Sequence, residues 1–430
     1  MLRTLLAALT LISAACGQGG AGHPKNLLIV CVDTLRADEL GAYGRSPSIT
    51  PALDRLAAES VVFERAHAAA SWTLPSIGAV FTSFFPSTTG LWTFESRLAD
   101  AFPTLAERFQ AAGFDTYGIA SHDFFKAKYG LVQGFEGFDD ELAHPRSEQG
   151  WQPVTSPKVS AKAVSWLEQR AASGDSGPWL LFVHFFDPHV PYLDHQAANL
   201  DDATRGERER YRSEIAFTDR HVGRLLEALE RSGFARDTTV LFFSDHGESF
   251  LEHPPIAKHS YGLYEEELRV PLFLHVPGLA PRRVGEPVRT VDLLPTLLAL
   301  FALDDEHARE REGVSLVPLI AGQPAAVPPQ LSEIRLKDDH HANALVRGRH
   351  KLYEDVSRDR LELFDLETDP GEQHDLSTEQ PALRAELEAA LRAAIHAAEA
   401  KGERFGSGGK VELTPEERQN LNQLGYAGKE

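Results

Sequence analysis

Three apolar runs in this chain end on acids or histidines, and that pattern limits the folds open to it. "NLLIVCVD" closes on Asp33, "PWLLFVHFFDPH" on Asp187 and His189, and "TTVLFFSDHGE" runs into Asp245 and His246. A continuous apolar run without alternation reads as a strand buried on both faces of a parallel sheet. In open α/β sheets, ligands gather at the carboxyl ends of such strands. Helical stretches lie between the runs. "TPALDRLAAESVVF" has Pro51 in its first turn, and "PTLAERFQAAG" stops at Gly113 before another strand, "FDTYGIAS". "VPLFLHVPG" adds a further strand. The expected architecture is α/β: a doubly wound, mostly parallel central sheet flanked by helices, with a smaller C-terminal α+β subdomain.

That subdomain is expected from about Pro329, where the texture changes. "HHANALVRGRHKLYED" and "DRLELFDLETDPGEQHDLS" read as short antiparallel strands, and "QPALRAELEAALRAAIHAAEAKG" as an amphipathic helix. "TPEERQNLNQLGYAG" reads as a capped terminal helix with a tail. The N-terminus opens with one Arg and an apolar run of signal-peptide length, then Ser13, Ala14, Ala15 and Cys16, a lipobox-like order. The expected organisation is therefore a lipoprotein-type signal peptide over 1–16, a flexible tether over 17–25, a catalytic domain over 26–328 and a C-terminal subdomain over 329–430. This places the protein in a bacterial cell envelope, periplasmic or on the outer surface, secreted or held to the membrane by a lipid at Cys16. With Cys16 outside the folded part, Cys31 has no disulfide partner. A formal net charge of -20 argues against nucleic-acid binding, because such a surface repels phosphate backbones. An anionic small substrate remains open where the site supplies a local cation.

The acids and histidines at the strand ends form a set: Asp33, Asp187, His189, Asp245, His246 and, in a later loop, His259. One Asp at a strand end is ordinarily a turn or cap. Several carboxylates and imidazoles converging on one rim suggest a divalent metal. Asp245 and His246, adjacent after an apolar run, would be costly to bury without such a purpose.

"VDTLRADELGAYG", "SWTLPSIGAVFTSFFPSTTG", "SDHGESFLEH", "LYEEELRVPLFLHVPG", "VDLLPTLLAL" and "LFDLETDPGEQHDL" follow one another in an order that resembles the sulfatase family of the alkaline-phosphatase-like superfamily. The resemblance runs from about Asn26 to Tyr426. It implies a hydrolase of sulfate or phosphate esters with a divalent metal. In that family a Cys or Ser in a Cys/Ser-X-Pro-Ser-Arg motif matures to formylglycine, the nucleophile. Aligned on Pro75 and Ser76, that position is Thr73, and Ile77 stands where the family has Arg. Formylglycine is therefore not expected, and Thr73 is read as a nucleophile used unmodified, as in phosphodiesterase and phosphotransferase branches of the superfamily.

The resemblance implies Asp33, Thr73, Asp245 and His246 as metal ligands. His246, standing where calcium-dependent members carry Asn, favours Zn or Mn over Ca. Asp187, His189 and His259 would form a second metal site in a two-metal enzyme. In the one-metal reading, favoured by the spacing, Lys258 and His189 bind the anion and His189 or His259 protonates the leaving group. The implied substrate is a small anionic ester, or a sulfated or phosphorylated glycan or lipid. A phosphotransferase acting on envelope polymers and a catalytically inactive sulfatase-like binding protein are the alternatives. Asp219 is read as structural, His340 and His341 as loop-edge histidines, and Trp72, Trp92, Phe84 and Phe85 as core or pocket-wall aromatics.

Overall fold

The computed structural model describes residues 24–143, 146–147, 150–151, 154–195, 206–336 and 340–423. The expected signal peptide, Cys16 and most of the tether lie outside the described residues, as does the tail after residue 423. The central sheet holds β1 (Asn26–Val32), β2 (Val61–His67), β3 (Asp115–Ile119), β4 (Gly137–Asp139), β5 (Trp179–Phe185), β6 (Thr238–Phe243), β7 (Arg269–Val270), β8 (Leu272–His275) and β9 (Arg282–Arg289). Its order is β7-β2-β8-β6-β1-β5-β3-β4, with β9 paired to β2. Strands β6, β1, β5, β3 and β4 run parallel. β7 and β8, one run interrupted at Pro271, lie antiparallel to β2. The sheet is thus mostly parallel, as the apolar runs require.

Alternation along β1 divides the core. Leu27, Ile29 and Cys31 face one apolar cluster, and Leu28, Val30 and Val32 face the other. α1 (Pro51–Ala58), α4 (Ser156–Ser173) and α5 (Glu207–Arg231) cover the second face, while α2 (Thr73–Thr82), α3 (Leu105–Ala111) and α6 (Leu293–Leu300) cover the first. Asp219 on α5 accepts from the Ala52 and Leu53 amides at 3.0 and 2.9 Å, which caps α1 and gives it the structural role expected. One helix is shorter than the sequence suggested. It stops at Ala58, and Val61–His67, partly assigned to that helix, forms β2. Val61, Val62 and Phe63 gain more from a two-sided sheet than from a further helical turn.

The C-terminal subdomain is a four-stranded antiparallel sheet: β10 (Gln330–Leu336), β11 (His340–Arg347), β12 (His350–Asp355) and β13 (Arg360–Asp365). α7 (Pro381–Gly402) sets Leu387 and Leu391 against Leu331, Leu345, Leu352 and Leu363. The subdomain is bolted to the main sheet by buried polar groups. Glu333 accepts from the Ser87 amide at 3.0 Å. The fully buried Lys351 ammonium reaches Glu372 at 2.8 Å and Glu265 at 3.2 Å. His340 Nε2–H donates to the Tyr261 carbonyl at 2.9 Å, bringing the subdomain edge beside the loop that carries His259.

Candidate active site

Strands β1, β5 and β6 lie side by side, so their carboxyl ends converge. Asp33 follows β1 and Asp245 follows β6 by two residues. The turn after Asp33 is unusual: Thr34 has φ 54°, a left-handed backbone that a β-branched residue adopts only under constraint. The constraint is visible. Tyr211 donates its hydroxyl to the Thr34 carbonyl at 2.7 Å and accepts from the Arg36 amide at 3.0 Å. Ser244 Oγ accepts from the Leu35 amide at 2.9 Å and donates to the His246 carbonyl at 2.7 Å, tying the β1 and β6 loops together.

Asp33, Asp245 and His246 are fully buried, and one ligand atom from each lies within 4.8 Å of the others. Neither Asp33 carboxylate oxygen nor Asp245 Oδ2 has a partner of full hydrogen-bond geometry, and the Thr73 side chain is the weak donor that acts on Asp33. His246 gives its Nδ1 proton to the Gly247 carbonyl at 2.9 Å, which leaves Nε2 as a lone-pair donor. That Nε2 stands 3.5 Å from Asp33 Oδ1, 3.6 Å from Asp245 Oδ2 and 3.4 Å from Thr73 Oγ1. Orphaned carboxylate oxygens facing an imidazole lone pair are costly unless a cation joins them. Burial, and next the Asp245 carboxylate, push the Asp33 carboxyl well above its usual range. The donor set fits a divalent metal.

Thr73 is the first residue of α2, fully buried, at a helix N-terminus with no side-chain cap. Such an end presents backbone amides and a partial positive charge to an anion. Ser76 Oγ donates to the Asp245 carbonyl at 2.6 Å, fixing α2 against the β6 loop. Ile77, where the family's Arg would stand, is fully buried in the apolar core.

His259 and His189 form the opposite wall. Their rings are 4.5 Å apart, and the His259 ring is 4.9 Å from that of His246. His189 Nδ1–H donates to the Val190 carbonyl at 2.8 Å, and His259 Nδ1–H to Glu248 at 3.1 Å. Burial, followed by the His259 ring for His189 and by the His246 ring for His259, holds both imidazoles well below their usual value. Burial pushes the Glu248 carboxyl up to about 8. Lys258, half-buried with φ 69°, sits beside His259, and its ammonium forms no ion pair among the described residues.

Asp187 does not join this wall. Its carboxylate accepts from the Thr155 amide at 2.6 Å and from the Ser156 amide, capping α4. The structure therefore does not gather Asp187 with His189 and His259: both of its oxygens accept from buried amides at the start of α4. Among the described residues, Asp33, Asp245 and His246 form the single cluster compact enough for a cation.

The sequence reading missed His184 and His122. His184 lies inside β5, fully buried, with Nε2 3.4 Å from Asp33 Oδ2. Burial lowers its pKa to about 4. His122, after β3, has its ring 6.0 Å from that of His189. The signal for His184 was present: an imidazole inside the apolar run "LLFVHFF" needs a polar reason to be there.

The fold and this site define a class, the sulfatase-like ester hydrolases. The sulfatase family profile matches residues 25–303, and the chain belongs to that family. Among curated relatives, it is 24% identical to a Delta 4,5-hexuronate-2-O-sulfatase of Bacteroides thetaiotaomicron, over 85% of this chain and 87% of that protein. It is 25% identical to a choline-sulfatase of Rhizobium meliloti, with 82% of each chain covered. Among solved structures, the phosphonate monoester hydrolase of Agrobacterium radiobacter superposes with a TM-score of 0.72 at 21% identity, over 86% of this chain and 96% of that one.

Proposed function

We propose that this protein is a metal-dependent hydrolase of anionic sulfate or phosphate esters that uses Thr73, unmodified, as its nucleophile. The observation that carries the reading is the placement of Thr73 Oγ1 3.4 Å from His246 Nε2, at the edge of the Asp33–Asp245–His246 cluster. Bound there, a divalent cation would lower the pKa of a nearby hydroxyl and offset charge on the substrate oxygens. The imidazole in this donor set favours Zn or Mn over Ca.

In the chain's own chemistry, the α2 N-terminus and the Lys258 ammonium hold the anion. Thr73 Oγ1, its proton released to solvent as the hydroxyl is acidified at the cation site, attacks the central sulfur or phosphorus, and the bond to the leaving oxygen breaks. His259 or His189, protonated as the substrate anion enters, gives that oxygen its proton; the anion raises imidazoles that burial holds low in the free protein. Water then cleaves the sulfo- or phospho-threonine and restores Thr73. A hydroxyl that needs no maturation, beside a histidine ligand, favours phosphorus over sulfur. The hexuronate and choline sulfatases among its relatives support a small ester or an anionic glycan as substrate. The lipobox-like order before Cys16 supports an envelope location; loss of labelled fatty-acid incorporation in Cys16→Ala is the expected result, and unchanged labelling would remove that part of the proposal.

The test is a substrate panel with metal analysis. Para-nitrophenyl sulfate, phosphate, phosphonate and phosphodiesters are assayed with wild-type and Thr73→Ala protein. The expected result is turnover by the wild type alone with equal metal content in both. A metal-free, inactive wild type would establish the binding-protein alternative instead.

A further inference from the structure

His184 and Asp33 are neighbours that each lack what the other offers. Asp33 Oδ2 accepts no hydrogen bond, and neither ring nitrogen of His184 has a hydrogen-bond partner, although both residues are completely buried. The two atoms that face each other, His184 Nε2 and Asp33 Oδ2, are 3.4 Å apart. The other carboxylate oxygen, Oδ1, faces His246 Nε2. Three rings stand around the His184 imidazole: Phe125 at 4.8 Å between centroids, His122 at 6.3 Å and Phe182 at 6.5 Å. The Asp245 carboxylate also acts on this imidazole, but Asp33 Oδ2 is the carboxylate oxygen in hydrogen-bond reach of it.

The backbone prepares this meeting. Register pairs His184 with Cys31 across the parallel β5 and β1, which puts the imidazole one step behind the end of β1, where Asp33 leaves the sheet. His184 also lies beyond the compact cluster formed by Asp33, Asp245 and His246.

We propose that His184 is a positioning residue that donates Nε2–H to Asp33 Oδ2 and so turns Oδ1 toward the cation site. The inference rests on the metal-dependent reading above. It assigns the two oxygens of Asp33 different tasks: one is held by the protein and the other is offered to the metal. Groups of this kind orient a ligand and raise its basicity, and their loss typically weakens metal binding about 10- to 100-fold.

The test compares wild-type, His184→Phe and His184→Gln protein, each stripped of metal and titrated calorimetrically with Mn²⁺ and with Zn²⁺. His184→Phe matches the neighbouring aromatic side chains and removes the donor; His184→Gln keeps a donor. The expected result is about 10- to 100-fold weaker binding in His184→Phe, with most of the loss recovered in His184→Gln. The absorption spectrum of the Co²⁺-loaded protein is expected to be the same in His184→Gln as in the wild type, because the imidazole is not itself a ligand. Equal affinity in wild-type and His184→Phe protein would overturn the proposal, as would a Co²⁺ spectrum in His184→Gln showing one nitrogen ligand fewer. A wild type that binds neither ion would overturn the metal-dependent reading itself, a separate failure. Thermal unfolding of each metal-free variant identifies one that has not folded, and His184→Gln then carries the comparison.

Discussion

Asp33→Asn is expected to stabilise the metal-free protein and to destabilise the metal-loaded one relative to wild type. An amide in its place keeps one oxygen, which can still accept from His184 Nε2–H, so little hydrogen bonding is surrendered. What it removes is a buried charge with a donor atom within 4.8 Å of one on Asp245. Two unit charges at that spacing repel by about 3 kcal/mol at an effective dielectric constant of about 20, which is the upper bound here because burial and Asp245 already favour the neutral Asp33 carboxyl. With an unfolding entropy of roughly 2 cal/mol/K per residue, that repulsion corresponds to a Tm about 3 °C higher for a chain of this length. Saturating metal at about 1,000 times its Kd adds roughly 4.1 kcal/mol to the wild type, more than that repulsion. The variant, short of one anionic ligand, gains little, so the order of the two melting temperatures inverts. The assay is thermal unfolding of both proteins at pH 8, in chelator and in excess Mn²⁺ or Zn²⁺. A variant that melts below wild type in chelator, or that gains as much from metal as wild type does, would refute the reasoning.

Two other carboxylates give independent tests. Asp187→Ala uncaps α4 and is expected to cost about 1–2 kcal/mol in denaturant unfolding while leaving metal stoichiometry unchanged; a fall from two metals per chain to one would restore the second-metal reading. Glu333, pushed up to about 7 by burial, keeps its proton when folded but loses it near the ordinary Glu value when unfolded. Stability therefore falls by about 3 kcal/mol as pH rises through that window and is level above it, whereas Glu333→Gln is expected to flatten the curve; parallel curves would reject the assignment.

Much of the architecture was legible because the same residues serve fold and site. The unbroken apolar runs specified a two-sided parallel sheet, and the polar residues that ended them marked its functional rim. Asp33, Asp245 and His246 were readable for that reason, and the structure brings them together beside Thr73. Asp187 was readable as a strand-end acid, but its partners, the Thr155 and Ser156 amides, lie 32 and 31 residues away in the chain, so no local pattern distinguished a cap from a ligand. His184 was hidden by its apolar setting, since its importance comes from register with β1 across the sheet. The helix that ended early at Ala58 shows the same limit. Val61–His67 is a strand because β7, β8 and β9 arrive to pair with it, more than two hundred residues later in the case of β7.

The central claim is that the Thr73 hydroxyl itself makes the covalent bond. Its most direct test is mass spectrometry of the peptide containing Thr73, isolated from metal-loaded protein quenched in acid during turnover of the best panel substrate. The account predicts an unmodified threonine before substrate is added and the mass of one phosphoryl or sulfuryl group on Thr73 during turnover. Turnover with the label on another residue, or a fully active Thr73→Ala protein, would contradict it.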